Sequence, residues 1–319
     1  MKVSTPRPIA RFTTTVALAG TLGLSGAGAA LAQDATPATP IGPEGGQCVV
    51  PEGLPSASPV AADATMASPV ADDTGETGTV VEDEAVIAEA TAAIENLYAC
   101  FNEGNGEAFV ALYTPEGRIN ALGSGDEAQL ATEISAKSAM VQASGLDVHE
   151  VLSLSDGSLV VDYQIAIGQQ LVHVSDTLVN QGGAWLVDAR TFEAPETDLD
   201  STTASVKTSI ADGGILIEVS PNPIANQPVV KLQFTNNGDT AQNVVLFQGT
   251  DAASLTEIDF ANLPDGVTFV GEVRVHPGEI VDTAFEALPE GDYVIVAEAD
   301  GGESGSLDLT IDPPFDPNA

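Results

Sequence analysis

The chain has 319 residues, with 9 basic against 47 acidic, for a formal charge of −38. Binding nucleic acid requires Lys and Arg to displace counterions from phosphate, so this balance excludes a nucleic-acid partner and, by the same repulsion, an anionic membrane surface. An apolar content of 43% with 10 Phe excludes wholesale disorder, and the length suits about two domains.

Residues 1–32 read as a secretory signal. Lys2, Arg7 and Arg11 precede the apolar run Val16–Leu24, and Ala30-Leu31-Ala32 matches an A-x-A cleavage pattern. The alternative is an uncleaved anchor, but the run is well short of the ~20 strongly apolar residues a span needs. The expected location is therefore secreted or cell envelope. Such a compartment is oxidising, and the chain holds 2 Cys, Cys48 and Cys100. A disulfide between them would tie the leader to the first helix across a loop of about 50 residues. The alternative is a free Cys48 and a small buried Cys100. Residues 33–82 are rich in Ala, Pro, Ser, Thr, Gly and Asp, and repeat Ala57-Ser-Pro-Val-Ala-Ala-Asp63 as Ala67-Ser-Pro-Val-Ala-Asp-Asp73. They lack the bulk for a core and read as a disordered or extended linker.

The first folded unit is expected over 83–196. Ile87, Ala90, Ile94, Leu97 and Phe101 recur at helical spacing over 83–103, and Gly104 stops that helix. A short second helix carries Phe109, Leu112 and Tyr113 and is expected to end at Pro115. A third is expected between Asp126 and Gln142, with Ser138 weakening its apolar stripe. After Gly145 the period becomes two, and strands are expected over 146–154, 158–167, 170–180 and 184–192. Helices followed by an antiparallel meander imply an α+β domain.

Leu97-Tyr-Ala-Cys-Phe-Asn-Glu-Gly104, Glu107-Ala-Phe-Val-Ala-Leu-Tyr113 and Asn180-Gln-Gly-Gly-Ala-Trp-Leu-Val-Asp188 resemble the nuclear transport factor 2-like superfamily, which includes ketosteroid isomerase and SnoaL-type cyclases. The resemblance implies a curled sheet wrapped around a long helix, forming a cone. In the family's enzymes the cone holds a buried acid or base; in other members it is a pocket or a dimer face. Candidate catalytic residues are Asp162, Asp188, Tyr163, His149 and His173, with Asp147 sharing a face with His149 and Arg190 sharing one with Asp188. A buried Asp beside Tyr or His would abstract a proton next to a carbonyl. The competing reading makes Asp162 a solvent-facing strand residue, Asp188 and Arg190 a surface pair, and both His residues surface or satisfied core groups.

The second unit, over 200–312, carries little helix signal. Alternating or apolar runs at 205–210, 214–220, 229–235, 242–248, 268–275, 280–285, 292–297 and 306–311 imply an antiparallel, all-β Greek-key sandwich. Phe234-Thr-Asn-Asn-Gly-Asp-Thr-Ala-Gln-Asn-Val-Val245, Val275-His-Pro-Gly-Glu-Ile280 and Leu288-Pro-Glu-Gly-Asp-Tyr-Val-Ile-Val-Ala297 resemble cupredoxins. Set against that family's pattern, Gln242 stands at the first copper His, Ala297 at the Cys and Asp300 near the second His, with Glu303 or Ser304 near the axial Met. A blue-copper site needs two imidazoles and a thiolate, which these positions lack. No metal site and no cofactor are expected. Residues 313–319 read as a tail.

These readings favour an exported, non-enzymatic binding or interaction protein. The cone would take a small apolar ligand or a protein partner, or form a dimer, and the copper-free sandwich would serve structure or contacts. The alternative is a SnoaL or ketosteroid isomerase-like enzyme with Asp162 or Asp188 as general base. The two separate on whether a carboxylate points into an enclosed apolar cavity.

Overall fold

The computed structural model describes residues 48–50, 78–197, 199–211, 214–249, 255 and 258–313. All of them belong to one compact unit. The expected signal segment, most of the linker and all but the first residue of the tail lie outside the described residues.

Helix α1 spans Glu84–Asn102, capped by the Asp83 carboxylate accepting from the Ala85 N–H. Its buried face includes Ala90, Ile94, Leu97 and Phe101 of the stripe seen in the sequence, with Ile87 half-buried and Tyr98 added to it. Cys100, on the same helix, forms a disulfide with Cys48. Asn96 adds to this tie by exchanging two hydrogen bonds with the backbone of Val49. Helix α2 (Gly106–Ala111) follows. It ends at Ala111, ahead of Pro115 but earlier than expected, so that Leu112 and Tyr113 lie beyond it; Pro115 then opens a new turn, α3 (Pro115–Gly117), which runs into a π-turn over Arg118–Leu122. Proline fits there because the first helical position needs no N–H donor, and the Thr114 hydroxyl caps the turn by accepting from Gly117. Helix α4 (Glu127–Ser138) is capped by Asp126.

The structure is mostly β-sheet with few helices. The strands are β1 (Thr79–Val80), β2 (Ala143–Ser153), β3 (Leu159–Ile167), β4 (Gln170–Gln181), β5 (Ala184–Glu193), β6 (Ser201–Ala211), β7 (Gly214–Ser220), β8 (Val229–Asn236), β9 (Gln242–Gln248), β10 (Thr268–Val275), β11 (Ile280–Glu286), β12 (Gly291–Ala299) and β13 (Ser304–Ile311). Among the described residues, one sheet of nine strands runs β1-β2-β3-β4-β11-β8-β6-β7, with β5 also on β4. A second sheet runs β10-β9-β12-β13. The larger sheet crosses the boundary expected between the two units, because β11 pairs with β4 at Ala284↔Leu171 and Phe285↔Gln170. The sandwich is not wholly antiparallel: β6 and β8 run parallel. That follows from the chain path, since β7 takes one edge of β6 and residues 221–228 carry the chain past β6 to its other edge.

Three apolar clusters hold the layers. The first lies between the helices and β2–β5. The second fills the sandwich between the two sheets. The third lies on the other face of the smaller sheet, where Phe247, Phe260 and Phe269 stack on one another and meet Met140 and Val141 beyond α4. The smaller sheet is therefore covered on both faces. This explains why β9 and β12 read as unbroken apolar runs, Val244-Val-Leu-Phe247 and Val294-Ile-Val-Ala297.

Gln170 joins the two halves. Its amide donates to the Glu272 carbonyl at 2.8 Å and accepts from the Glu272 N–H at 3.0 Å, so one side chain satisfies a strand's backbone. Gly271 makes room, because a Cβ there would lie 2.6 Å from the Gln170 Oε1. Lys137 of α4 adds an ion pair to Glu272 at 2.6 Å. Gln170→Leu leaves a buried N–H and carbonyl unpaired and is expected to cost about 1–3 kcal/mol. Urea denaturation measures this, and an unchanged midpoint would contradict the dependence.

Candidate functional site

Strand alternation sorts the polar residues of β3 and β4 onto two faces. Tyr163 and Asp176, both fully buried, point toward the helices. Tyr98 of α1 and Arg190 of β5 meet them there. Arg190 grips Asp176 with two charge-assisted hydrogen bonds of 2.7 Å, and the Tyr163 hydroxyl donates to the same carboxylate at 2.7 Å. Tyr163 also accepts from Arg190 Nη2 at 3.1 Å. With the Tyr163 proton committed to Asp176, the Tyr98 hydroxyl is the donor in their 3.1 Å contact. Burial pushes the Tyr163 and Tyr98 phenols above their ordinary range, so both stay protonated donors. Asp176 is thus occupied by a guanidinium and a phenol and is no free base. Tyr113, beside Arg190, is buried with no partner for its hydroxyl among the described residues.

Next to this cluster, at the seam between the two halves, is a cavity of about 250 Å³. Tyr98, Phe101, Phe109 and Arg190 line it from the helical half, and Phe260, Phe269 and Arg274 from the sandwich half. Charged side chains border it: Lys137 with its partner Glu272, Arg274, which is held by Asp300 at 2.7 Å, and the acids Glu133 and Glu298.

The opposite face of the same strands carries a second cluster. In β2 the register with β3 slips between Val148 and Glu150, so His149 sits in a bulge. The bulge swings the imidazole over Asp162 of β3, placing Nδ1 3.2 Å from Oδ1. His173 of β4 brings Nε2 to 3.0 Å from that same oxygen. Its Nδ1 faces the Ala194 carbonyl at 3.1 Å. Burial alone would lower the His173 pKa; the bonds to Asp162 and Ala194 outweigh it and leave the pKa raised. Burial likewise opposes ionisation of Asp162, but His173 and Ser175 hold its pKa below the ordinary value.

The sequence candidates therefore separate. Tyr163 lies inside with Arg190. Asp162, His149 and His173 come together outside, with Asp147 3.7 Å from His149. Asp188 is the extra residue of a bulge in β5 and accepts from the Thr114 hydroxyl at 2.6 Å. The bulge also corrects the expected Asp188–Arg190 pairing, because Arg190 turns inward to Asp176. Neither Asp162 nor Asp188 lines the cavity. At the copper-like positions Gln242 and Ala297 are fully buried and Asp300 is held by Arg274, so the donors present do not fit a blue-copper ion. Asp176 was missed by the sequence reading. Its signal was an acid interrupting the apolar alternation Val172, Val174, Leu178.

No family model and no curated protein matches the chain. Among solved structures, Aln2 from a Streptomyces species is similar over 35% of this chain and 93% of its own, at 16% identity and a TM-score of 0.31. Auracyanin A, a "blue" copper protein from Chloroflexus aurantiacus, is similar over 35% of this chain and 100% of its own, at 20% identity and a TM-score of 0.24. An auracyanin from Roseiflexus castenholzii is similar over 34% and 97%, at 19% identity and a TM-score of 0.21. No functional residue is carried across from these likenesses.

Removing one member of the inner pair strands a buried charge. Asp176→Ala is expected to cost about 3–5 kcal/mol, and the double change Asp176→Leu with Arg190→Met less than that. Equilibrium unfolding of the three proteins checks the order; a double variant weaker than the single one would contradict it.

Proposed function

We propose that the chain is an exported, non-enzymatic binding protein whose seam cavity takes a small, largely apolar molecule carrying an oxygen acceptor. The helical half acts as a nuclear transport factor 2-like cone, and the copper-free, cupredoxin-like half closes its mouth. One observation carries the reading: aromatic side chains from both halves line a single cavity, with Arg190 and Tyr98 among its polar groups beside the paired Lys137 and Glu272. Convergence of a few polar groups in an apolar hollow is what small-molecule sites share. Arg190 reaches the cavity wall while its Nε and Nη2 are held by Asp176 and Tyr163. That end of the cavity suits a carbonyl, phenol or carboxylate oxygen.

Support for a non-catalytic role comes from the carboxylates. The two proposed bases stand outside the cavity and Asp176 is neutralised by Arg190; of the acids that line the cavity, Glu272 is paired with Lys137, Glu133 accepts from the Gln129 amide and Glu298 accepts from the Ile258 N–H. Support for export comes from the Cys48–Cys100 disulfide, which persists in oxidising compartments, together with the leader pattern. Among the described residues no helix is long and apolar enough to cross a membrane.

2-Naphthol, a fluorescent bicyclic phenol, is a suitable probe. Fluorescence titration is expected to show one saturable site. Ala121→Phe, which adds bulk at the cavity wall, should weaken it at least tenfold without lowering the melting temperature. Absence of saturable binding, or binding indifferent to Ala121→Phe, would refute the proposal.

A further inference from the structure

The outer cluster of His149, Asp162 and His173 has a donor geometry that neither the cavity nor the fold requires. From it we infer that these three side chains form a binding site for a divalent first-row transition ion of the zinc or copper type.

The first argument is distance. Zinc bonds to imidazole nitrogen and carboxylate oxygen are about 2.0–2.2 Å long, so neighbouring ligand atoms around a tetrahedral ion sit about 3.2–3.6 Å apart. The Asp162 Oδ1 lies 3.2 Å from His149 Nδ1 and 3.0 Å from His173 Nε2, close to that spacing. The three donor atoms all lie within 4.8 Å of one another. Closing the remaining edge requires movement of His149, whose side chain is partly exposed on its bulge and has room to shift.

The second argument is orientation. A metal-bound His usually gives its other ring N–H to a carbonyl or carboxylate, which fixes the tautomer. His173 is placed for this: its Nδ1 lies 3.1 Å from the Ala194 carbonyl, and with that nitrogen carrying the proton Nε2 would offer its lone pair to an ion beside Asp162 Oδ1. His149 repeats the arrangement less closely, with Nε2 toward the Asp147 carboxylate at 3.7 Å. Ser175 holds the other oxygen of Asp162 at 2.9 Å, which aims Oδ1 at the two rings.

The third argument is charge. Ser175 is within hydrogen-bond distance of Glu193 as well, at 3.1 Å, yet has one proton for two carboxylates. Asp147, Asp162 and Glu193 therefore gather around two imidazoles, so acceptors and lone pairs outnumber protons. The two rings meet edge to face with centroids 5.0 Å apart, both beside Oδ1. A single divalent ion takes a lone pair from each ring and a bond from Oδ1 together. Two nitrogens and one oxygen suit zinc, copper or nickel; calcium and magnesium prefer all-oxygen shells. Three protein ligands leave at least one position open to solvent.

The test is isothermal titration of the EDTA-dialysed full chain with ZnCl₂ at pH 7.5, beside His149→Ala, His173→Ala and the double variant. The expected result is one zinc per chain, a loss of affinity of at least tenfold in each single variant, and no saturable calcium binding at the same site. Cobalt(II) should give visible absorption bands that zinc abolishes. The acidic surface binds cations loosely, so the double variant is the decisive control: equal zinc affinity in it and in the parent overturns the inference, as does a parent that binds no stoichiometric zinc. Should His173→Ala fail to fold, His149→Ala serves, because its side chain sits on an exposed bulge. Zinc should raise the melting temperature of the parent and leave that of His149→Ala unchanged; equal shifts would also overturn the inference.

Discussion

The side-chain amide of Gln170 stands in for a neighbouring strand, giving and receiving one hydrogen bond each with the backbone of Glu272. This contact allows a helix-covered sheet and a sandwich to share one structure. Gly271 must lack a Cβ for the amide to reach, and Lys137 reinforces the same residue through its carboxylate. The neighbouring β4–β11 pairing then runs the larger sheet through both halves. The cavity follows, because its two walls belong to different halves and are brought together along this seam.

Within the helical half, a period of two decides the chemistry. Tyr163 and Asp176 fall on the face toward the helices, and Asp162 and His173 on the opposite one, where His149 and the Ala194 segment leave His173 buried and Asp162 half-buried, although they share the same two strands. Inside, a carboxylate tolerates burial only with a guanidinium and a phenol bonded to it. Outside, solvent access lets two imidazoles approach a carboxylate with an open side remaining. Bulges adjust both arrangements: one lifts His149 over Asp162, and the other turns Arg190 inward.

The charge of the chain has a structural counterpart. Arg118, Lys137 and Arg274 are buried, Arg190 is nearly so, and each is paired with an acid. Lys137 and Arg274 sit at the seam and Arg190 at the buried Asp176 carboxylate, whereas Lys207 is exposed.

Much of the fold was legible in the sequence because its signals are local. The stripe from Ile87 to Phe101, the eight strand runs of the second half and the Cys48–Cys100 pairing depend on spacing, turn residues and compartment. The unbroken apolar runs at 244–247 and 294–297 carry the mark of strands covered on both faces. Pro115 marked the end of the second helix but not the turn that starts at it, because proline both stops a helix and suits its first turn, and the Thr114 hydroxyl caps that turn. The site was less legible. His149, Asp162 and His173 were each visible as candidates, but their convergence on one oxygen depends on a bulge and on the register of three strands. Asp176 and its guanidinium partner, the Gln170 seam and the cavity depend on residues far apart in sequence meeting in space. Periodicity determines which face a residue takes; only tertiary packing determines what stands opposite that face.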